Sequence, residues 1–141
     1  MRKLASYINS SSKRTAIFNE FCDCFQDTNR KILKVCETRW LTHYSCIERV
    51  LESWDTITHF LNEMVVSEKT KSGEYLLSLI QNVDLKAYFL FLKYVLNFFN
   101  AFNAFFQAIE TKIHLLQSKS VTFLIQICQN FLKPELLLDM P

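Results

Sequence analysis

The 141-residue chain holds one glycine, Gly73, and two prolines, Pro134 and Pro141. An all-β chain needs many turns and turns need breakers, so this shortage excludes a sandwich or barrel. It favours long helices with short connections. A single glycine also excludes a Gly-rich loop, so neither a P-loop nor a dinucleotide fingerprint can be built. The N-terminal Met-Arg-Lys-Leu-Ala-Ser-Tyr has no apolar stretch long enough for a secretory signal. The five cysteines (Cys22, Cys24, Cys36, Cys46 and Cys128) are odd in number and lack framework spacing. A reduced, intracellular setting is therefore expected. Long uncharged runs are also missing. Lys86 and Lys93 interrupt the most apolar segment, and the longest uncharged run there, 94–109, has sixteen residues with three Asn and a Gln. A membrane span needs about twenty apolar residues, so no membrane contact is expected.

What the chain does hold is apolar periodicity. Half of it is hydrophobic and thirteen residues are Phe, enough for one domain with a core built from packed helices. Residues 2–9 suit a short helix, and Ser10-Ser11-Ser12 interrupts it and offers a cap. From about Lys13 to Gln26 the residues Ile17, Phe18, Phe21, Cys22 and Phe25 share one face. Asp27-Thr28-Asn29 reads as a turn, and residues 30–37 as an extended segment or a helix end. A helix is then expected over about 42–66, with Ile47, Val50, Leu51, Trp54, Ile57, Leu61, Met64 and Val65 on its apolar face. Thr42, or Ser45 in a Ser45-x-x-Glu48 capping box, marks its start.

The polar stretch Ser67 to Gly73 reads as a loop. A short helix over about 74–82 follows. Asp84 then caps a heptad-spaced segment running from Leu85 to Leu116. It suits either one helix or two joined by a kink near Asn97 to Asn103. Phe89, Leu96 and Phe98 lie off its main row and give it a second apolar stripe. Ser118 or Ser120 caps a last helix, which Pro134 ends. Together these readings make the chain all-α.

Charge is uneven. Residues 1–50 hold nine Lys/Arg against five Asp/Glu, and residues 51–141 seven against nine. The basic part includes Arg30, Lys31, Lys34 and Arg39, which lead into Trp40 and, one turn on, His43. Arg39 and Trp40 sit beside a helix start, whose partial positive charge and free N–H groups suit phosphate. A mild basic stripe of this kind is also an ordinary solvated surface. Trp40 suits two roles that do not exclude each other: a staple of the helix entry to the core, or a platform for an unpaired base. Trp54 lies within the apolar stripe and reads as core.

No metal site is legible. Cys22 and Cys24 project about 200° apart on a helix and cannot share one ion. Cys22 reads as core and Cys24 as surface. Cys36 and Cys46 flank Trp40 and, with His43, read as small buried cysteines rather than ligands. His59 and His114 stand alone. Glu48 and Glu52 are i,i+4 neighbours on a solvated helix flank.

The run Cys36-x-Thr38-Arg39-Trp40-Leu41-Thr42, followed by Ile47-Glu48-Arg49-Val50-Leu51-Glu52-Ser53-Trp54-Asp55, resembles the Thr-Arg-Trp segment of hAT-superfamily transposases and their domesticated relatives. The resemblance is best over about residues 30 to 61 and is carried elsewhere by helix pattern. It implies a helical insertion domain at 38–141, without the RNase H-like catalytic β-sheet core, and a helical lead-in at 1–37 that joins that core. Family members hold two divalent ions on three acidic residues of the core. The resemblance places two of those acids before this sequence and one after it, so no catalytic residue, metal or cofactor is expected here. It implies a nuclear protein in which Arg39 and Trp40 meet DNA near a transposon end, assisted by Arg30, Lys31, Lys34 and His43. The expected function is that of a catalytically incomplete, transposable-element-derived fragment with residual DNA binding. The alternative is a helical protein-interaction scaffold with no DNA role. Either way, self-association or partner helices are expected through the Phe-rich helices.

Overall fold

The described residues form α1 (Arg2–Asn9), α2 (Ser12–Cys24), α3 (Trp40–Glu52), α4 (Trp54–Glu68), α5 (Lys71–Ile80), α6 (Val83–Phe106), a 3₁₀ turn at Ile113–Leu115, and α7 (Leu116–Phe131). The computed structural model describes residues 1–28, 31–33, 40–107 and 113–133, with the backbone alone at Trp40 and Leu41. No strand occurs among the described residues, and the fold class is all-α. The backbone forms two compact units, Met1–Tyr94 and Val95–Pro141.

The first unit is centred on α4. That helix packs against α2, α3 and α5, and α1 packs against α2 and α5. Ile8, Phe18, Ile57, Phe60, Leu61 and Met64 are fully buried where these helices meet. Phe60 meets Phe18 edge to face at 5.4 Å between ring centroids and Phe21 at 6.3 Å. Each such side chain contributes roughly 1.5–3 kcal/mol by leaving water. Trp54 is buried as expected and meets Phe89 of α6 edge to face at 6.1 Å. Ser11 caps α2 by accepting the Arg14 N–H at 3.4 Å, as the serine run suggests.

Several boundaries differ from the sequence reading. The helix expected over 42–66 is broken at Ser53, whose φ of −93° and ψ of 20° leave the helical basin. Serine is a weak helix former. Ser53 is also fully buried, and its hydroxyl has no hydrogen-bond partner among the described residues. Thr42 and Ser45 lie inside α3 rather than at its cap. The loop expected at Ser67 to Gly73 shrinks to Lys69 and Thr70. Lys69, not the glycine, takes the left-handed conformation that closes α4, with φ 48° and ψ 44°.

Gly73 lies in the first turn of α5, where its N–H donates to Thr70 Oγ1 at 3.3 Å. A Cβ there would stand 2.9 Å from Tyr7 Oη and 3.0 Å from Thr70 Oγ1. Those two hydroxyls are themselves hydrogen-bonded at 3.1 Å. The glycine therefore serves the close approach of α1 to α5, not a turn.

Asn82 rather than Asp84 starts α6, since its Oδ1 accepts the Asp84 N–H at 2.8 Å. α6 runs unbroken through Asn97 to Asn103 and ends at Phe106. α7 begins at Leu116, ahead of Ser118 and Ser120, with no side-chain cap. The heptad-spaced segment is thus two helical stretches, parted after Phe106 instead of near Asn100. By length and composition α6 is apolar enough to cross a membrane, which the sixteen-residue uncharged run does not suggest.

In the second unit, Phe123 of α7 stacks on Phe102 at 4.5 Å and meets Phe99 at 5.3 Å. No described residue after Phe89 is buried. Phe99, Leu116, Val121, Leu124, Ile125 and Phe131 all stand exposed.

Candidate nucleic-acid interface at the start of α3

The basic lead-in is visible at Lys31, Ile32 and Leu33, which are not helical. Ile32 is buried and anchors the segment in the core. Three successive carbonyls are pinned. That of Lys31 accepts from Arg49 Nη1 at 3.1 Å, that of Ile32 from Asn9 Nδ2 at 3.1 Å, and that of Leu33 from Cys46 Sγ at 3.7 Å. The Lys31 side chain is left exposed. Lys31 lies in a bend, and the rest of the segment expected over 30–37, apart from Ile32 and Leu33, lies outside the described residues.

α3 is held by its inner face. Cys46, Ile47 and Val50 are buried, at the spacing of one helical turn. His43 is half-buried in the first turns of the same helix. Trp40 opens α3, and its side chain lies outside the described residues, as do Arg30, Lys34 and Arg39. Lys31 is held by its carbonyl to Arg49 in the last turn of α3, whereas His43 lies in the first turns of that helix, and the other four expected contact residues stand next to these in sequence. Arg49 is the basic residue that the sequence reading passed over. Its guanidinium holds the backbone of the lead-in, a role that only the fold could assign.

The flank of α3 is less solvated than expected. Glu48 accepts from Lys93 Nζ at 3.0 Å and from Tyr44 Oη at 3.1 Å. The hydrogen bond from Lys93 holds the Glu48 carboxyl below the usual range, and the same bond raises the Lys93 ammonium. Burial and the bond to Glu48 push the Tyr44 phenol up. This trio ties α3 to α6. Burial likewise pushes the Cys46 thiol up, which suits an unreactive core cysteine. Cys22 is buried and Cys24 exposed, as their helical spacing suggests, and Cys36 lies outside the described residues.

Asp27, Glu52 and Asp55 line a shallow cavity of about 390 Å³ with Thr28 and Thr56. Among the described residues no three His, Cys, Asp or Glu side chains converge in a metal-binding group.

A second basic feature, absent from the sequence reading, lies among α1, α2 and α5. Lys3, Arg14 and Lys71 line an open cleft of about 550 Å³ with Tyr7 and Tyr75. Its cations come from three helices and sit far apart in sequence, so no run or spacing announces it. Comparison with protein-family models, with curated proteins and with solved structures finds no match to this chain.

Proposed function

We propose that this chain is a catalytically incomplete helical domain of the hAT transposase-like kind, acting by binding DNA in the nucleus. The observation that carries the reading is the pinned lead-in. Core contacts fix the backbone at Lys31, Ile32 and Leu33 while the Lys31 side chain faces solvent beside α3. A backbone held by hydrogen bonds under an exposed lysine suits phosphate contact, and the Thr38-Arg39-Trp40 resemblance adds a base-stacking aromatic at the helix start. The acids that hold metal in the family fall outside the sequence by the same resemblance, so the proposal assigns no catalysis to these residues.

The test is binding to hairpin and plain duplex DNA across a salt series, with melting curves for each variant. Arg39→Ala weakens both complexes. Trp40→Ala removes the hairpin preference, about 1–3 kcal/mol, and leaves duplex binding intact. A folded Trp40→Ala protein with unchanged hairpin preference sinks the stacking role. A Trp40→Ala protein that loses roughly 3–5 kcal/mol of stability marks Trp40 as a staple instead.

A second reading rests on the exposed apolar residues of α7. Leu124 and Ile125 are 58% and 48% exposed and lie near exposed Val121 on the same helix, and a contiguous apolar patch marks an interaction surface. On this reading the chain is a helical interaction scaffold whose partner is a second copy of itself. Sedimentation then shows a dimer that Leu124→Glu dissociates, and a monodisperse monomer that binds no hydrophobic dye excludes it. Within α6, Lys93 pairs with Glu48 and Phe89 is buried against Trp54, while Tyr88, Leu90, Phe91, Tyr94 and Phe99 stand exposed.

A further inference from the structure

The cleft among α1, α2 and α5 combines two kinds of lining. One is cationic. Lys3 of α1 and Lys71 in the first turn of α5 make no ion pair among the described residues. Arg14 is committed elsewhere: its Nε donates to Glu68 at 2.9 Å and its Nη1 to the Tyr7 carbonyl at 3.1 Å. The guanidinium also lies 4.1 Å from the centroid of the Tyr7 ring. Arg14 thus builds the wall, and the two lysines supply the available charge. Ser6 and Ser72 add hydroxyls at the rim.

The other lining is aromatic. The Tyr75 ring is 49% exposed, and Lys3 Nζ stands 4.9 Å from its centroid. Lys3 Nζ lies over the ring face, so a flat group stacked there takes the place of the ammonium and leaves it free to pair with an attached anion. Tyr7 forms the floor, since it is buried, bonded to Thr70 and packed closely against Gly73. The cleft volume falls in the range of small-molecule sites, about 300–1,000 Å³.

We infer that this cleft binds a nucleotide unit, its base stacked on Tyr75 and its phosphate held by Lys3 and Lys71. Phosphate chemistry follows from two ammonium groups and two hydroxyls converging on one opening. The ring requirement follows from a half-bare tyrosine in a cleft otherwise rich in charge. The unit is either a free mononucleotide or one residue of a single strand. The inference shares the ligand class of the proposed function but none of its residues.

The test measures binding of a fluorescein-labelled oligothymidylate by anisotropy. Thymidine monophosphate, inorganic phosphate and polyaspartate serve as competitors, and thermal melts confirm that each variant is folded. Lys3→Gln/Lys71→Gln is expected to lose about tenfold or more in affinity, and its log K against log salt slope to flatten by about 0.7, the value for one single-strand phosphate contact. Tyr75→Ala is expected to lose about fivefold or more, and Tyr75→Phe to retain binding. Competition by thymidine monophosphate identifies a free nucleotide as the occupant, and its failure beside tight oligothymidylate binding identifies a strand; both support the cleft. An Arg39→Ala/Trp40→Ala protein retains the Tyr75-dependent share of binding, which separates this site from the start of α3. The inference is overturned if the unsubstituted protein binds neither oligothymidylate nor the mononucleotide. It is also overturned if inorganic phosphate or polyaspartate displaces the probe as well as unlabelled oligothymidylate does, if the lysine pair or Tyr75→Ala leaves affinity unchanged, or if Arg39→Ala/Trp40→Ala alone abolishes binding.

Discussion

Residues Met1–Tyr94 and Val95–Pro141 draw on the same apolar alphabet and use it differently. In the first unit Phe18 and Phe60 are sealed between helices at zero exposure. In the second, Phe99, Phe102 and Phe123 pair with one another, yet no described residue is buried. The difference is one of layers. α4 has α2, α3 and α5 around it, so its apolar face is covered from several directions. Two helices such as the end of α6 and α7 share one seam, and the apolar residues off that seam face water. Hydrophobic content alone does not make a core.

Truncating one phenylalanine in each unit sharpens this contrast most. Phe60→Ala should cost about 3–5 kcal/mol, because the ring is enclosed and the cavity cannot collapse. Phe123→Ala should cost under about 1.5 kcal/mol, since its ring is only partly buried. Chemical denaturation of both variants measures this. Equal losses would mean that the second unit is covered as well as the first.

A smaller effect probes how tightly the first unit is packed. Gly73→Ala should destabilise by about 1 kcal/mol even though alanine is the better helix former, because the new methyl displaces the Tyr7 and Thr70 hydroxyls. Tyr7→Phe should recover part of that loss, and a double-mutant cycle reads the coupling. A stabilising Gly73→Ala would show that α1 yields easily.

The smallest effect concerns the tie between α3 and α6. Glu48→Gln should cost less than about 1 kcal/mol, as the Lys93 pair is about a third exposed. The pH dependence has a definite sign. The Glu48 carboxyl is lowered, so its contribution is present above the ordinary carboxylate range and is lost as pH falls through the depressed value. The Lys93 ammonium is raised, so its contribution is present below the ordinary lysine range and is lost as pH rises through the raised value. Melting temperature against pH for Glu48→Gln should lose the acid-side dependence.

Local periodicity by itself determined the all-α class, the extents of α1 and α2 to within two residues, the inward Cys22 and outward Cys24, and the buried Trp54. These follow from the repeat of the helix, which any window of sequence displays. The resemblance around Thr38-Arg39-Trp40 and the contact set of Arg30, Lys31, Lys34, Arg39, Trp40 and His43 are likewise read from local sequence and stand as the proposal made above. Contacts between distant residues decided the rest. Gly73 reads as a loop glycine until Tyr7 is seen against it, sixty-three residues from its partner Thr70. Glu48 reads as solvated until Lys93 reaches it, and Arg49 as a surface charge until it grips the Lys31 carbonyl. The cleft of Lys3, Lys71 and Tyr75 exists only because α1 packs on α5. A helix repeat says which way a side chain leaves its own axis; what waits there is set by the packing of other helices, which no local pattern encodes.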